Sequence, residues 1–194
     1  MEKSWVTFYQ NVMGSKRLLE GNILTQRVVV EVVARFVQQG ARVLEIGAGT
    51  GVLGAPLAQA GIEVFCLDNE PQLLEMCKVN ARTLGVDIKY VEGDAFQLPY
   101  SADYFTVAYS TGLLEHFSDE DIHRIVRESL RVAPVAVHGV PLVGRTKGAF
   151  GNERWMDEVE WEALLRPVGL AEVIPYEDGW SFCGICKREG VEQA

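Results

Sequence analysis

The residues in this chain that could do chemistry begin at VLEIGAGTG, residues 43–51, where Glu45 precedes Gly47, Gly49 and Gly51 at alternate positions. Glycines at a turn leave the backbone bare, so a ligand can lie directly against it. Asp68, closing the next apolar run, and Asp94, in GDAFQLP, supply two further carboxylates. At the carboxyl ends of neighbouring strands, such acids can accept from a ribose diol and meet an adenine edge. The pattern departs from the dinucleotide fingerprint G-x-G-x-x-G, which wants glycine at position 52, where this chain has Val52. Glu45 beside the turn also suits an ammonium group and would repel a pyrophosphate. Farther on, TGLLEHF sets Glu115 next to His116, a carboxylate beside an imidazole that titrates near neutrality and could serve as a general base.

These groups need a frame. Residues 22–38 read as an amphipathic helix with Leu24, Val28, Val32 and Phe36 on one face, Asn22 as its cap and Gly40 as its stop. Arg42–Ile46 is a short apolar strand that runs into the glycine turn. Helix Val52–Ala60, strand Glu63–Leu67 and helix Pro71–Leu84 follow, then strands Ile88–Glu92 and Tyr104–Tyr109. Ser118 opens a helix at capping-box spacing from Asp121, with Ile122, Ile125, Val126 and Leu130 facing inward. Val135–Val140 is a fifth strand. A last helix starts at Asp157, with Glu160 at its third position and Trp161, Leu164 and Leu165 buried. Strands near Leu170–Tyr176 and Trp180–Lys187 close the chain. Alternating strands and helices imply a parallel sheet covered on both faces. The final two strands are joined by a turn too short for a parallel crossover, so they must run antiparallel. The expected architecture is one α/β, Rossmann-like domain over residues 1–194: seven strands, mostly parallel, with an antiparallel C-terminal hairpin.

Composition narrows the function classes. At 194 residues, with 48% hydrophobic and 23% charged side chains, the chain can bury a sizeable core and is not intrinsically disordered. No apolar run reaches the ~18 residues of a membrane span, and MEKSWVTFYQ has no apolar signal region, so a cytoplasmic protein is expected. A net charge of -9, with no basic cluster longer than Lys16-Arg17 or Lys187-Arg188, disfavours nucleic acid as a partner. The oligomeric state is left open. Cys66, Cys77, Cys183 and Cys186 suggest no disulfide framework. Cys183 and Cys186, three apart in a strand, point to opposite faces, and no metal site is expected.

The stretches VLEIGAGTG, VFCLDNEPQLLEMC, VEGDAFQLPYSADYFTVAYS and TGLLEHF together resemble the class I S-adenosylmethionine-dependent methyltransferases, in the small-molecule branch typified by ubiquinone and menaquinone biosynthesis. That resemblance covers residues 42–140 as a cofactor-binding core and implies S-adenosylmethionine as cofactor and S-adenosylhomocysteine as product. It assigns Glu45 to the methionine ammonium and the backbone of Gly47, Ala48, Gly49 and Gly51 to the methionine and ribose. Asp68 would hold the ribose hydroxyls, Asn69 the adenine face, and Asp94 with the Ala95 amide the adenine edge. The Ser110 carbonyl would meet the ammonium again. The chain departs from the family at Thr106, where an acid usually follows the phenylalanine of strand four, and in RVAPVAVHG, which lacks a Pro-Gly-Gly turn.

Outside the cofactor set, the resemblance implies a small-molecule acceptor, with specificity residing in residues 1–21 and 141–156. Trp5 and Tyr9 either fold over the cofactor or pack at the N-terminal segment. His116 and Glu115 either remove a proton from the acceptor or help to start the next helix. His138 reads as a core or rim histidine, and His123 as solvated. Arg145, Lys147 and Arg154 either pair with a substrate anion or are solvated loop charges. The rival to a methyltransferase is a catalytically silent cofactor- or partner-binding protein on the same fold, since fold does not prove turnover.

Overall fold

The computed structural model describes residues 4–12, 16–144 and 153–190. Three helices lead: α1 (Trp5–Val12), α2 (Lys16–Thr25) and α3 (Arg27–Ala34). Then β1 (Arg42–Ile46), α4 (Gly54–Gln59), β2 (Glu63–Asp68), α5 (Pro71–Leu84) and β3 (Lys89–Glu92) alternate. They are followed by β4 (Val107–Thr111), α6 (Asp119–Val132), β5 (Val135–Pro141) and α7 (Glu158–Leu165). The chain closes with β6 (Leu170–Tyr176) and β7 (Ser181–Lys187).

The seven strands form one sheet in the order β3-β2-β1-β4-β5-β7-β6. Pairs among the first five strands are parallel, and β7 runs antiparallel to both β5 and β6. The hairpin expected from the short terminal turn is present. The order of strands reverses between β1 and β4, which opens a crevice at the carboxyl ends of the strands.

Strand alternation sends side chains to two apolar layers. Val43, Val64, Val107 and Val137 face α3, α4 and α5 through Val29, Val32, Val33, Leu57 and Cys77. On the opposite face, Ala136, Val140 and Phe182 meet Ile122, Ile125, Trp161 and Leu165 of α6 and α7. Cys183 belongs to the first layer and Cys186 to the second, as their spacing requires.

Helix starts follow local chemistry. The Ser118 hydroxyl accepts from the Asp121 amide at 3.2 Å. Asp157 and Glu160 form a reciprocal capping box, with both bonds at 2.8 Å. Pro71 opens α5, and Gly85, at φ 72°, ends it.

Three expectations need correction. The helix expected over 22–38 is two helices that break at Gln26 and end at Ala34, so Asn22 is interior to α2 and not a cap. Its buried face is Val29, Val32 and Val33, whereas Leu24 is 67% exposed. A run of valines offers two possible stripes, and packing against β4 and β5 selects the one offset from Leu24. Strand four begins at Val107, because Tyr104 and Phe105 pack with Phe65 and Tyr100 in an aromatic cluster ahead of it. His123 is not simply solvated: its Nε2 lies 2.7 Å from the Leu164 carbonyl and ties α6 to α7. Among the described residues, no helix is long and apolar enough to cross a membrane.

Candidate active site

At the end of β1, Glu45 is buried, and its Oε2 accepts from the Tyr109 hydroxyl at 3.1 Å and the Cys66 thiol at 3.4 Å. Burial is the main cause that lifts its pKa to about 7, with those bonds and one from Gly54 opposing. A phenol, a thiol and an amide hold this carboxylate; a ligand ammonium would supply the counter-charge.

The turn that follows is stapled to β2. The Gly49 amide donates to Asp68 Oδ2 and the Glu70 amide to Oδ1, both at 3.0 Å. Burial raises the Asp68 pKa even so. Gly47, Gly49 and Gly51 all adopt positive φ, but for different neighbours. A Cβ on Gly49 would stand 2.6 Å from the Tyr9 hydroxyl, inside the crevice. A Cβ on Gly51 would stand 2.8 Å from the Cys77 sulfur, so that glycine admits α5 and not a ligand. Beyond β3, Asp94 Oδ1 accepts from the Phe96 amide at 2.9 Å.

Two adjoining cavities, each of about 240 Å³, occupy the crevice. One holds Glu45, Gly47, Ala48, Thr50, Thr111 and Glu115 in its wall. The other holds Gly49, Asp68, Asn69, Asp94, Ala95 and Phe117. Trp5, Tyr9, Gly47, Gly112 and His116 line both. The structure thus brings together every proposed cofactor residue except Gly51 and Ser110. Ser110 lies inside β4, fully buried, with its hydroxyl 2.9 Å from His138 Nδ1. Thr111 and Gly112 form the wall instead. Gly112, at φ 62°, was legible only as a glycine after a strand, and its amide reaches the Gly139 carbonyl at 3.1 Å.

His138 is a core histidine whose Nε2 has no hydrogen-bond partner among the described residues, and burial lowers its pKa to about 4. Glu115 is buried in the cavity wall, and its carbonyl accepts from the Arg154 amide at 2.8 Å. His116 sits on the crevice with its ring perpendicular to Trp5, centroids 5.0 Å apart. Arg154 is neither a solvated charge nor aimed at an acceptor: its guanidinium donates to the Phe117 carbonyl at 3.0 Å and pairs with Asp119 at 2.5 Å. Arg145 and Lys147 lie outside the described residues.

Comparison with known proteins decides the family. A family model described as a methyltransferase domain matches residues 43–134, the span that carries Glu45, the glycine turn, Asp68 and Asp94. The chain belongs to the class I S-adenosylmethionine-dependent methyltransferases. A ubiquinone biosynthesis O-methyltransferase of Brucella anthropi is 30% identical over 141 residues, 68% of this chain and 56% of that protein. The chain therefore spans little more than half the length of that curated relative. Among solved structures, a Pyrococcus horikoshii protein superposes with TM-score 0.75 at 15% identity, covering 94% of this chain and 99% of that one. A SAM-dependent methyltransferase from Aquifex aeolicus gives TM-score 0.72 at 17% identity, with coverages of 95% and 98%. At these identities the likeness concerns the fold.

The residues present fit the cofactor of this methyltransferase family. The crevice has a bare backbone at Gly49 where a Cβ would intrude, a buried carboxylate at Glu45 for a cationic end, and carboxylates at Asp68 and Asp94 for a nucleoside.

Proposed function

We propose that this chain transfers a methyl group from S-adenosylmethionine to a small-molecule nucleophile by in-line displacement. The observation that carries the reading is the order of groups along one crevice: Glu45, the glycine backbone, Asp68, then Asp94. Glu45 binds the ammonium, and Gly47 to Gly49 lie under the methionine and ribose. Asp68 accepts from the ribose hydroxyls with the lone pairs that the Gly49 and Glu70 amides leave over. Asn69 lies against the adenine, whose edge Asp94 and the Ala95 amide hold. Thr111 and Gly112 take the place first given to Ser110.

The cofactor, when bound, supplies a methyl already activated on a sulfonium, so the protein's work is alignment. The acceptor occupies the cavity walled by Glu115 and His116, where His116 takes its proton if it is a phenol, amine or carbon acid. Glu115 sits beside it in the same wall. The name of the Brucella relative supports an acceptor that is a small molecule.

Calorimetric titration with S-adenosylmethionine, followed by assay of S-adenosylhomocysteine against a panel of phenols, amines, thiols and carboxylic acids, tests this. Binding with turnover of at least one acceptor is expected. Binding with no turnover across a broad panel would favour the silent reading, and tight NAD binding without S-adenosylmethionine binding would make the site a dehydrogenase's.

A further inference from the structure

Asp94 and Ala95 sit in a turn that is tied at both ends. At its start, the Gly93 amide donates to the Asp68 carbonyl at 3.1 Å. Within it, the Phe96 amide donates to Asp94 Oδ1 at 2.9 Å and the Gln97 amide to the Asp94 carbonyl at 3.0 Å, so Oδ2 keeps its lone pairs for a ligand. At its far end, Leu98 is buried in one apolar cluster with Phe65, Leu67 and Ala95. The Leu98 amide donates to Glu128 Oε1 at 2.8 Å, and its carbonyl accepts from Arg131 Nη2 at 3.0 Å. Arg131 Nη1 donates to the Tyr100 carbonyl as well, at 2.7 Å.

Glu128 and Arg131 stand three residues apart on α6, where side chains are neighbours. Two further bonds join them, Nε to Oε2 at 2.8 Å and Nη2 to Oε1 at 2.6 Å. That pairing holds the Glu128 carboxyl below the usual carboxylate range. The rigid fork of the guanidinium lets one side chain meet two carbonyls and a carboxylate at once. Neither residue lines the crevice. What the pair fixes is the backbone of Leu98 and Tyr100, and through it the turn that carries Asp94 and Ala95.

We propose that Glu128 and Arg131 are positioning residues for recognition of the cofactor's base: by clamping the far end of the turn, they keep Asp94 and the Ala95 amide in register with the adenine edge. The inference rests on reading Asp94 and Ala95 as the adenine's partners. Adenine offers an amino donor and, beside it, a ring nitrogen that accepts; a carboxylate next to an amide N–H matches that order. Hypoxanthine reverses it, setting an oxygen against the carboxylate and a ring N–H against the amide. Such mismatched contacts discriminate only while the turn cannot shift to escape them.

The test is titration calorimetry of S-adenosylhomocysteine and its hypoxanthine counterpart, S-inosylhomocysteine, on the wild type, Arg131→Met, Glu128→Gln and Arg166→Met. The wild type should prefer the adenine ligand by roughly tenfold to a hundredfold. Arg131→Met keeps a stem but no donor, and the preference should shrink by roughly threefold to tenfold. Glu128→Gln keeps an oxygen for the Leu98 amide and leaves the guanidinium on its carbonyls, so it should hold the wild-type preference. Arg166, which pairs with Glu162 at 3.1 Å, touches no part of the turn, and its loss should change nothing. A merely destabilising substitution lowers the urea midpoint without altering the ratio of two affinities. Should Arg131→Met fail to fold, Arg131→Lys carries the test, because one ammonium cannot span both carbonyls and Glu128. A preference that survives intact in the Arg131 variant would overturn the pair's role alone. A wild type that binds both ligands equally would overturn the reading of Asp94 and Ala95, and the pair's role with it. Binding of neither would overturn the cofactor site itself.

Discussion

Among single residues, Asp68 makes the sharpest prediction, because it serves the turn and the ligand at once. Asp68→Ala should weaken S-adenosylmethionine binding by about 1–3 kcal/mol, since the ribose loses a charged acceptor and the Gly49 amide loses its partner. Calorimetry checks this, and unchanged affinity would reduce Asp68 to a strand-end acid. His116 is a separate case. His116→Asn should slow single-turnover methylation of a protonated acceptor by roughly 10²–10⁴-fold, far more than it disturbs cofactor affinity. A collapse of affinity with the per-complex rate preserved would move His116 to the cofactor. Glu45, Asp68 and Asp94 were legible in the chain because each ends or follows a strand beside a glycine turn. The seat of the Tyr9 hydroxyl over Gly49 was not, since WVTFYQ leaves that ring as either a cover for the cofactor or N-terminal packing and says nothing of which distant backbone it will meet. Arg154 misled for a related reason: a cation in a loop carries no mark of the Asp119 it will pair with.

Elements were readable wherever period and caps agreed. Ser118 and Asp157 start their helices where their spacing to Asp121 and Glu160 requires. The break at Gln26 was not readable, because Val28, Val29 and Val30 satisfy two helical stripes and tertiary packing chooses between them. Gly51 shows how an element-level constraint can pass for a ligand contact. Gly51→Ala should cost about 1–3 kcal/mol of stability, from the left-handed backbone and the clash with the Cys77 sulfur. Urea midpoints would measure it. Adding Cys77→Ala should remove the sulfur contact but leave the Cβ of residue 77 at 3.0 Å and the backbone strain, so the double variant should be less damaged than the sum of the singles without recovering fully. Cofactor affinity of the folded fraction should stay close to wild type, because Gly51 does not line the crevice.

For the molecule as a whole, the antiparallel terminal hairpin followed from the short connection between the last two strands, while the insertion of β7 between β5 and β6 and the pH response required the fold to be seen. Glu45 and His138 act on stability in opposite senses. Glu45, raised in the fold from 4.5 to about 7, stabilises below about pH 4.5 and loses that contribution as pH climbs to 7. His138, lowered from 6.5 to about 4, contributes above pH 6.5 and loses it as pH falls to 4. The two slopes nearly cancel between those limits. Glu45→Gln should therefore unmask a stability that rises from pH 4 to 6.5, and His138→Asn one that falls from pH 4.5 to 7, each by up to ~3 kcal/mol relative to wild type. Urea unfolding across that range would show both, and parallel profiles for wild type and variants would refute the assignment. The placement of β7 between β5 and β6 has a further consequence, for synthesis. On the ribosome, β5 emerges well before Ser181, so one edge of a strand whose seven residues are all buried in the finished sheet waits unpaired. Until β7 pairs with it, that edge offers a row of unpaired backbone N–H and C=O groups to any other strand.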